Sequence, residues 1–116
     1  MLDTKYEKLA EVYALYCSIT SDATGGNGQA VSIPFPCEVI DVIVQARATS
    51  VGGTATLKKG SNAISDAIVM AVDTTITRAG TINDAYSTLA EGDAVSVDCA
   101  NNTDRGLVTI LVRRIY

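Results

Sequence analysis

Histidine and tryptophan are missing from these 116 residues, and the first absence removes much familiar hydrolytic chemistry. Without an imidazole there is no Ser-His-Asp or Cys-His nucleophile system and no mixed Cys/His shell for zinc. Cysteine is scarce, at Cys17, Cys37 and Cys99. An odd count at wide spacing is not a disulfide framework. No two cysteines have the CxxC spacing of a redox or metal site. Each lies in an apolar-rich run, so each is expected to pack as a small hydrophobe in a reducing compartment. Aromatics are limited to Phe35 and five tyrosines, too few rings for a generous sugar platform. No uninterrupted apolar run reaches the ~18 residues of a helical membrane span. Met1 to Glu7 lacks the charged-then-apolar pattern of a secretory signal, so use without Sec export is expected. Neither GxGxxG nor a Walker-type GxxxxGK occurs. Gly25-Gly26-Asn27-Gly28 has no strand-to-helix context that would make it a phosphate cradle.

Basic charge is also short, with 9 Lys and Arg against 13 Asp and Glu and a net charge of -4. The only basic doublets are Lys58-Lys59 and Arg113-Arg114. Such a chain gains little from counterion release at phosphates, so neither nucleic acid nor an anionic membrane is an expected partner. What the chain has is apolar residues at 47% and charged residues at 19%, a composition that folds rather than one that stays disordered. The length fits one domain. Ala, Val and Ile dominate the apolar set, which suits thin, β-branched sandwich layers.

Leu2, Tyr6, Leu9, Tyr13 and Tyr16 recur at four-three-four-three spacing, the period of one helical face, and Asp3 and Thr4 can cap its start. Val12 to Ile19 is rich in β-formers. The reading adopted is an N-terminal arm or short helix over 1–11, then a strand over 12–19 that opens a domain of 12–116; one helix to Cys17 is the alternative. Residues 21–28 read as a glycine-rich loop and Ala30 to Ile33 as a short strand. Pro34-Phe35-Pro36 then marks a sheet edge or strand switch. Cys37 to Ala48 is the strongest strand, too apolar for simple alternation, so partial cover on both faces is expected. Thr49 to Gly53 is a turn and Thr54 to Lys58 a strand; with the preceding strand this reads as a hairpin. Lys59 to Asn62 is a second turn. Ala63 to Val72 fits either a helix or a strand with a bulge. Thr74 to Arg78 alternates as a strand, and a bulge could carry pairing on to Ile82. Residues 83–89 are loop-like, with room for one helical turn. Glu91-Gly92-Asp93 is a tight turn, Ala94 to Cys99 an alternating strand, residues 100–104 a polar loop, and Gly106 to Tyr116 a long final strand. Seven or eight short strands between regular turn signals mean a sandwich or barrel.

Two carboxylate pairs, Asp93 with Asp98 and Glu38 with Asp41, are the remaining route to acid-base chemistry, but they read as turn and edge residues. Asp22, Asn27, Asn101, Asn102 and Asp104 would make a calcium site only if their loops met. No catalytic residue, cofactor or metal is therefore expected, and the chain reads as a binding or structural module. The stripe Leu2, Tyr6, Leu9, Tyr13 and Tyr16 is the candidate contact, since Tyr gives contact area at low entropy cost. Packing on the domain's own core is the competing reading. The 22–28 loop is a second candidate contact.

Three stretches resemble the small jelly-roll decoration (cement) proteins of tailed bacteriophages. They are the Pro-bounded SIPFPCEVIDVIVQARA, the hairpin-like TATLKKGSNAISDAI, and the closing AEGDAVSVDCANNTDRGLVTILV. The resemblance runs from about Val31 to the C-terminus. It implies an all-β, single-domain antiparallel sandwich of jelly-roll type. It implies binding to the major capsid protein on the outer capsid surface of a virion assembled in the host cytoplasm, commonly as a homo-oligomer, a trimer. It carries no catalytic residues. Similar strand-and-turn text occurs in phage fibre and neck domains and in carbohydrate-binding sandwiches, which stand as the alternatives.

Overall fold

The structure is a computed structural model, and it describes residues 11–19, 30–46, 53–70, 76–100 and 106–115. These form ten strands and no helix: β1 Val12–Ile19, β2 Val31–Ser32, β3 Cys37–Ala46, β4 Gly53–Lys59, β5 Asn62–Ala63, β6 Ile68–Met70, β7 Ile76–Arg78, β8 Thr88–Leu89, β9 Ala94–Ala100 and β10 Gly106–Arg114. They build two antiparallel sheets. The first runs β1-β10-β3-β7, with β8 also on β3; the second runs β2-β9-β4-β5, with β6 also on β4. The all-β expectation holds, as does the strand reading of 12–19. The expected N-terminal arm lies outside the described residues.

The core is the space between the sheets. Val42, Val44, Ile110 and Val112 of the first sheet and Ala55, Leu57, Val95 and Val97 of the second are at most 1% exposed. They alternate with outward residues along each strand, as the two-residue period of a strand requires. β3 breaks that alternation for a local reason. Leu111 pairs with Asp41 and Val112 with Val39, so Ile40 is an extra residue in the β3–β10 ladder. The bulge sends both Ile40 and Asp41 outward and returns Val42 to the core in phase with Val44 and Ala46. The broken apolar pattern of this strand therefore reflects a bulge rather than cover on both faces. The Asp41 carboxylate accepts the Val42 N–H at 2.8 Å and holds the kink.

The expected hairpin between the third and fourth strands does not form. β3 belongs to the first sheet and β4 to the second, so the chain changes sheets between them. The turn that does close a hairpin is Gly60-Ser61. Lys59 pairs with Asn62 across it, and Gly60 has φ of 62°, a conformation that glycine adopts without strain. Of the expected segment Ala63 to Val72, the described part, to Met70, is neither one helix nor one strand. It is divided into β5, an isolated bridge from Ser65 to Ile82, and β6. The Glu91-Gly92-Asp93 turn forms as expected. Gly92 has φ of 87°, and the Asp93 carboxylate accepts the Ala90 N–H at 2.8 Å.

Candidate interaction surface

The two outer faces of the sandwich differ in chemistry. On the second sheet, Thr56 stands opposite Asp98, and Lys58 opposite Ser96. Lys58 and Asp98 also form an ion pair at 2.7 Å. Thr54 and Ser32 continue this polar outside, while at one end Val69 of β6, paired with Thr54 and 53% exposed, is its one large apolar side chain among the described residues. The first sheet does not follow that rule. Its outward rows, read across the strands, are Val12–Arg113–Glu38, Ala14–Leu111–Asp41, Tyr16–Thr109–Ile43–Arg78 and Ser18–Leu107–Gln45–Ile76. This face carries the large apolar side chains of Tyr16, Leu107, Leu111, Ile43 and Ile76 among Thr109, Gln45 and Asp41. Tyr16 is 60% exposed and Ile76 62%, while Leu107, Leu111 and Ile43 are half-buried. Arg113 meets Glu38 at 2.6 Å and Arg78 meets Asp41 at 3.4 Å. Apolar side chains left on an outer sheet face make it the candidate contact surface.

The tyrosine stripe divides. Leu2, Tyr6 and Leu9 lie outside the described residues, as does the 22–28 loop. Tyr13 and Tyr16 both stand on β1, but an odd spacing on a strand puts them on opposite faces. Tyr16 points out beside Thr109. Tyr13 sits on the inward side at the open end of the sandwich, with its ring 4.9 Å from that of Phe35. The Arg114 guanidinium covers the same Phe35 ring at 4.9 Å. Tyr13 stays 39% exposed beside that ring, and of the two Tyr16 stands on the outer face. Leu107, Leu111 and Ile43 were not candidates from the sequence. The only signal for them was that β10 is apolar at consecutive positions, which leaves no alternation to say which residues face out.

The carboxylates considered for chemistry are each engaged. Asp98 pairs with Lys58, Asp93 with Lys59 at 2.9 Å, Glu38 with Arg113 and Asp41 with Arg78. The Ala90 N–H and then Lys59 hold the Asp93 carboxyl below the usual carboxylate range. That is the opposite of the raised value a general acid needs. The three thiols are free and buried. Burial pushes Cys17 and Cys37 up, and burial, with smaller contributions from Asp98 and Cys17, pushes Cys99 up to about 11. Such thiols are poor nucleophiles. The residues suggested for calcium lie outside the described set. Among the described residues, no three Cys, Asp or Glu side chains gather as a metal site. A hollow of about 500 Å³ is lined by Ala63 and Ile82 together with Ser65, Asp66, Thr81 and Asp84. In it the Asp66 carboxylate is occupied by the Gly80 N–H, at 3.1 and 3.2 Å.

No protein-family model, no curated protein and no solved structure matches the chain.

Proposed function

We propose that this chain is a non-enzymatic structural module that docks on another protein through the outer face of its first sheet, and specifically that it is a jelly-roll decoration protein of a tailed-phage head. The observation that carries the reading is the difference between the two outer faces: mainly Thr, Ser, Lys and Asp with Val69 at one end on the second sheet, and Tyr16, Leu107, Leu111, Ile43 and Ile76 on the first. The strand order supports the finer fold. The chain passes from one sheet to the other between β1, β2, β3 and β4, stays in the second sheet through the β4–β5 hairpin and β6, returns to the first for β7 and β8, and crosses again to β9 and back to β10. That order is the one a pair of Greek keys would give, which supports the jelly-roll reading. The partner is the major capsid protein on the outside of the head. A module that bridges assembled shell subunits binds the assembled state alone and stabilises it by mass action. Repetition over the lattice turns modest site affinity into avidity.

The test is co-sedimentation of the purified chain with expanded phage heads. Saturable binding is expected. Tyr16→Asp on the apolar face should weaken it by about 2 kcal/mol, roughly 30-fold, and Thr56→Asp on the opposite face should leave it unchanged. A folded chain that stays in the supernatant beside its own phage's heads refutes the decoration role. Equal loss from both variants refutes the assignment of the face.

A further inference from the structure

We infer that β1 is a self-pairing edge, through which two copies of the chain join antiparallel about a two-fold axis into one continuous sheet of their first sheets. The inference does not rest on the decoration reading. It starts from how the fold treats its edges. An exposed sheet edge offers unpaired backbone groups to other chains, and soluble proteins blunt it with short strands, Pro, Lys or bulges. Three of the four edges here are blunted. β2 has two residues and is followed by Pro34. The edges beyond β4 and β3 are each divided between two short strands, β5/β6 and β7/β8. The Thr77 hydroxyl also donates to the Val69 carbonyl at 2.7 Å, tying the two sheets together on that side. β1 is different. It runs 8 residues, Val-Tyr-Ala-Leu-Tyr-Cys-Ser-Ile, with no Pro, Gly, Lys or bulge, and among the described residues its ladder partner is β10 alone.

The register tells which backbone groups are available. In an antiparallel ladder, the N–H and C=O of one residue point to the same side, and successive residues alternate sides. The Arg114 N–H donates to the Glu11 carbonyl at 3.2 Å, and the β1–β10 pairing continues from there without a shift. The odd residues of β1 therefore bond to β10. Val12, Ala14, Tyr16 and Ser18 aim theirs at the open edge. Two copies of β1 can satisfy all four residues in one register, with the two-fold axis through Leu15. Val12 then pairs with Ser18 of the second copy, and Ala14 with its Tyr16. An antiparallel pair of identical strands is self-complementary, so the contact closes as a dimer. The trimer implied by the resemblance would need two different surfaces in contact instead. The pairing keeps both apolar outer faces on the same side, because outward residues meet outward residues across the axis. It also brings no charged residue of β1 against its copy.

The experiment is light scattering after size exclusion on the full chain, with hydrogen exchange at two concentrations. At about 0.1 mM, where a dimer of micromolar affinity is nearly complete, the expected mass is twice 12.1 kDa. The amides of Val12, Ala14, Tyr16 and Ser18 should be protected there and should lose protection on dilution. Ala14→Pro removes an edge-directed N–H and no bond to β10, so it should give a folded monomer. Leu15→Cys should cross-link to itself on oxidation, since residues facing across a non-hydrogen-bonded pair have Cα atoms about 4.5 Å apart. Tyr16→Cys should not. A mass of one chain at the higher concentration overturns the proposal. So does a trimer, an assembly in which Tyr16→Cys cross-links and Leu15→Cys does not, or one that survives in a folded Ala14→Pro variant. Loss of head binding alone would leave these readouts unmoved.

Discussion

Removal of the Ser65 hydroxyl tests how the second sheet tolerates a divided edge. β4 is paired by β6 at Gly53 to Ala55 and by β5 at Lys58 and Lys59. Between them Leu57 has no strand beside it on that side. Ser65 fills the gap. Its hydroxyl accepts the Leu57 N–H at 3.0 Å and donates to the Asp66 carbonyl at 2.8 Å, while the Leu57 carbonyl accepts the N–H groups of Ile64 at 2.7 Å and Ser65 at 3.3 Å. Leu57 is 1% exposed and Ser65 4%, so little water is at hand to replace the lost partner. Ser65→Ala leaves a buried N–H unsatisfied, at a cost of about 2 kcal/mol. For a chain of this length the unfolding entropy is about 0.24 kcal/mol per kelvin, so the melting point should fall by roughly 8 °C. Urea titration gives the free energy, and amide exchange locates it: the Leu57 amide should lose more protection than Val95 or Val97 on the neighbouring strand. A loss below about 0.5 kcal/mol with the Leu57 amide still protected would refute the stitching role.

Three further outcomes are expected. Gly106→Ala at the start of β10 would place a Cβ against Met70 and 2.9 Å from the Gln45 carbonyl oxygen. The methionine can move and the backbone cannot, so a loss of about 1–3 kcal/mol in urea denaturation is expected, and Gly106→Ala with Met70→Ala should recover only part of it. The Asp93 carboxyl is held below its ordinary range by the Ala90 N–H and Lys59. Its contribution is complete above the unfolded value and disappears as pH falls through the folded one. The wild-type urea midpoint should therefore drop between about pH 5 and pH 2 more steeply than that of Asp93→Asn, and parallel curves would refute the role. With burial raising all three thiols, a thiol reagent at pH 8 should label the native chain slowly and all three cysteines in guanidinium; a fast thiol in the native state would show one of them exposed.

Much of the fold was legible because turn chemistry and β-branching are local. The strand of residues 12–19, the Gly60 and Gly92 turns and the long final strand all appear where the residues put them. The errors were of a different kind. Thr49 to Gly53 signals that the chain turns, but a turn signal carries no statement of which sheet the next strand joins, so the hairpin was assigned where the chain crosses between sheets. The broken alternation of Cys37 to Ala48 suggests partial cover on both faces, and within β3 a bulge at Ile40 accounts for the break in phase, because a bulge and a doubly covered strand leave the same apolar text. The tyrosine stripe failed at Tyr13 and Tyr16 for a simpler reason. A three-residue step keeps one face of a helix and changes the face of a strand, so within β1 the period does not place Tyr13 and Tyr16 together; Leu2, Tyr6 and Leu9 lie outside the described residues.

The contact face was the hardest part to read, and the reason lies in β10. Leu107 to Val112 is apolar at nearly every position, and Val108, Ile110 and Val112 go to the core. Leu107 and Leu111 follow from register alone, once β1 and β3 are known to flank them. A strand at the centre of a two-layer sandwich has no need of leucine on its outside, and β9, its counterpart in the second sheet, has Ser96 and Asp98 there instead. Hydration of apolar surface carries a free-energy cost of about 25 cal/mol for each Å² left in water. The two sheets share one core and one chain, so propensity and folding demands are alike for both. The leucines on the outside of β10, where β9 has Ser96 and Asp98, are what the proposed docking of the first sheet on a protein accounts for, and Leu107→Ser with Leu111→Ser should leave the fold intact while weakening that docking.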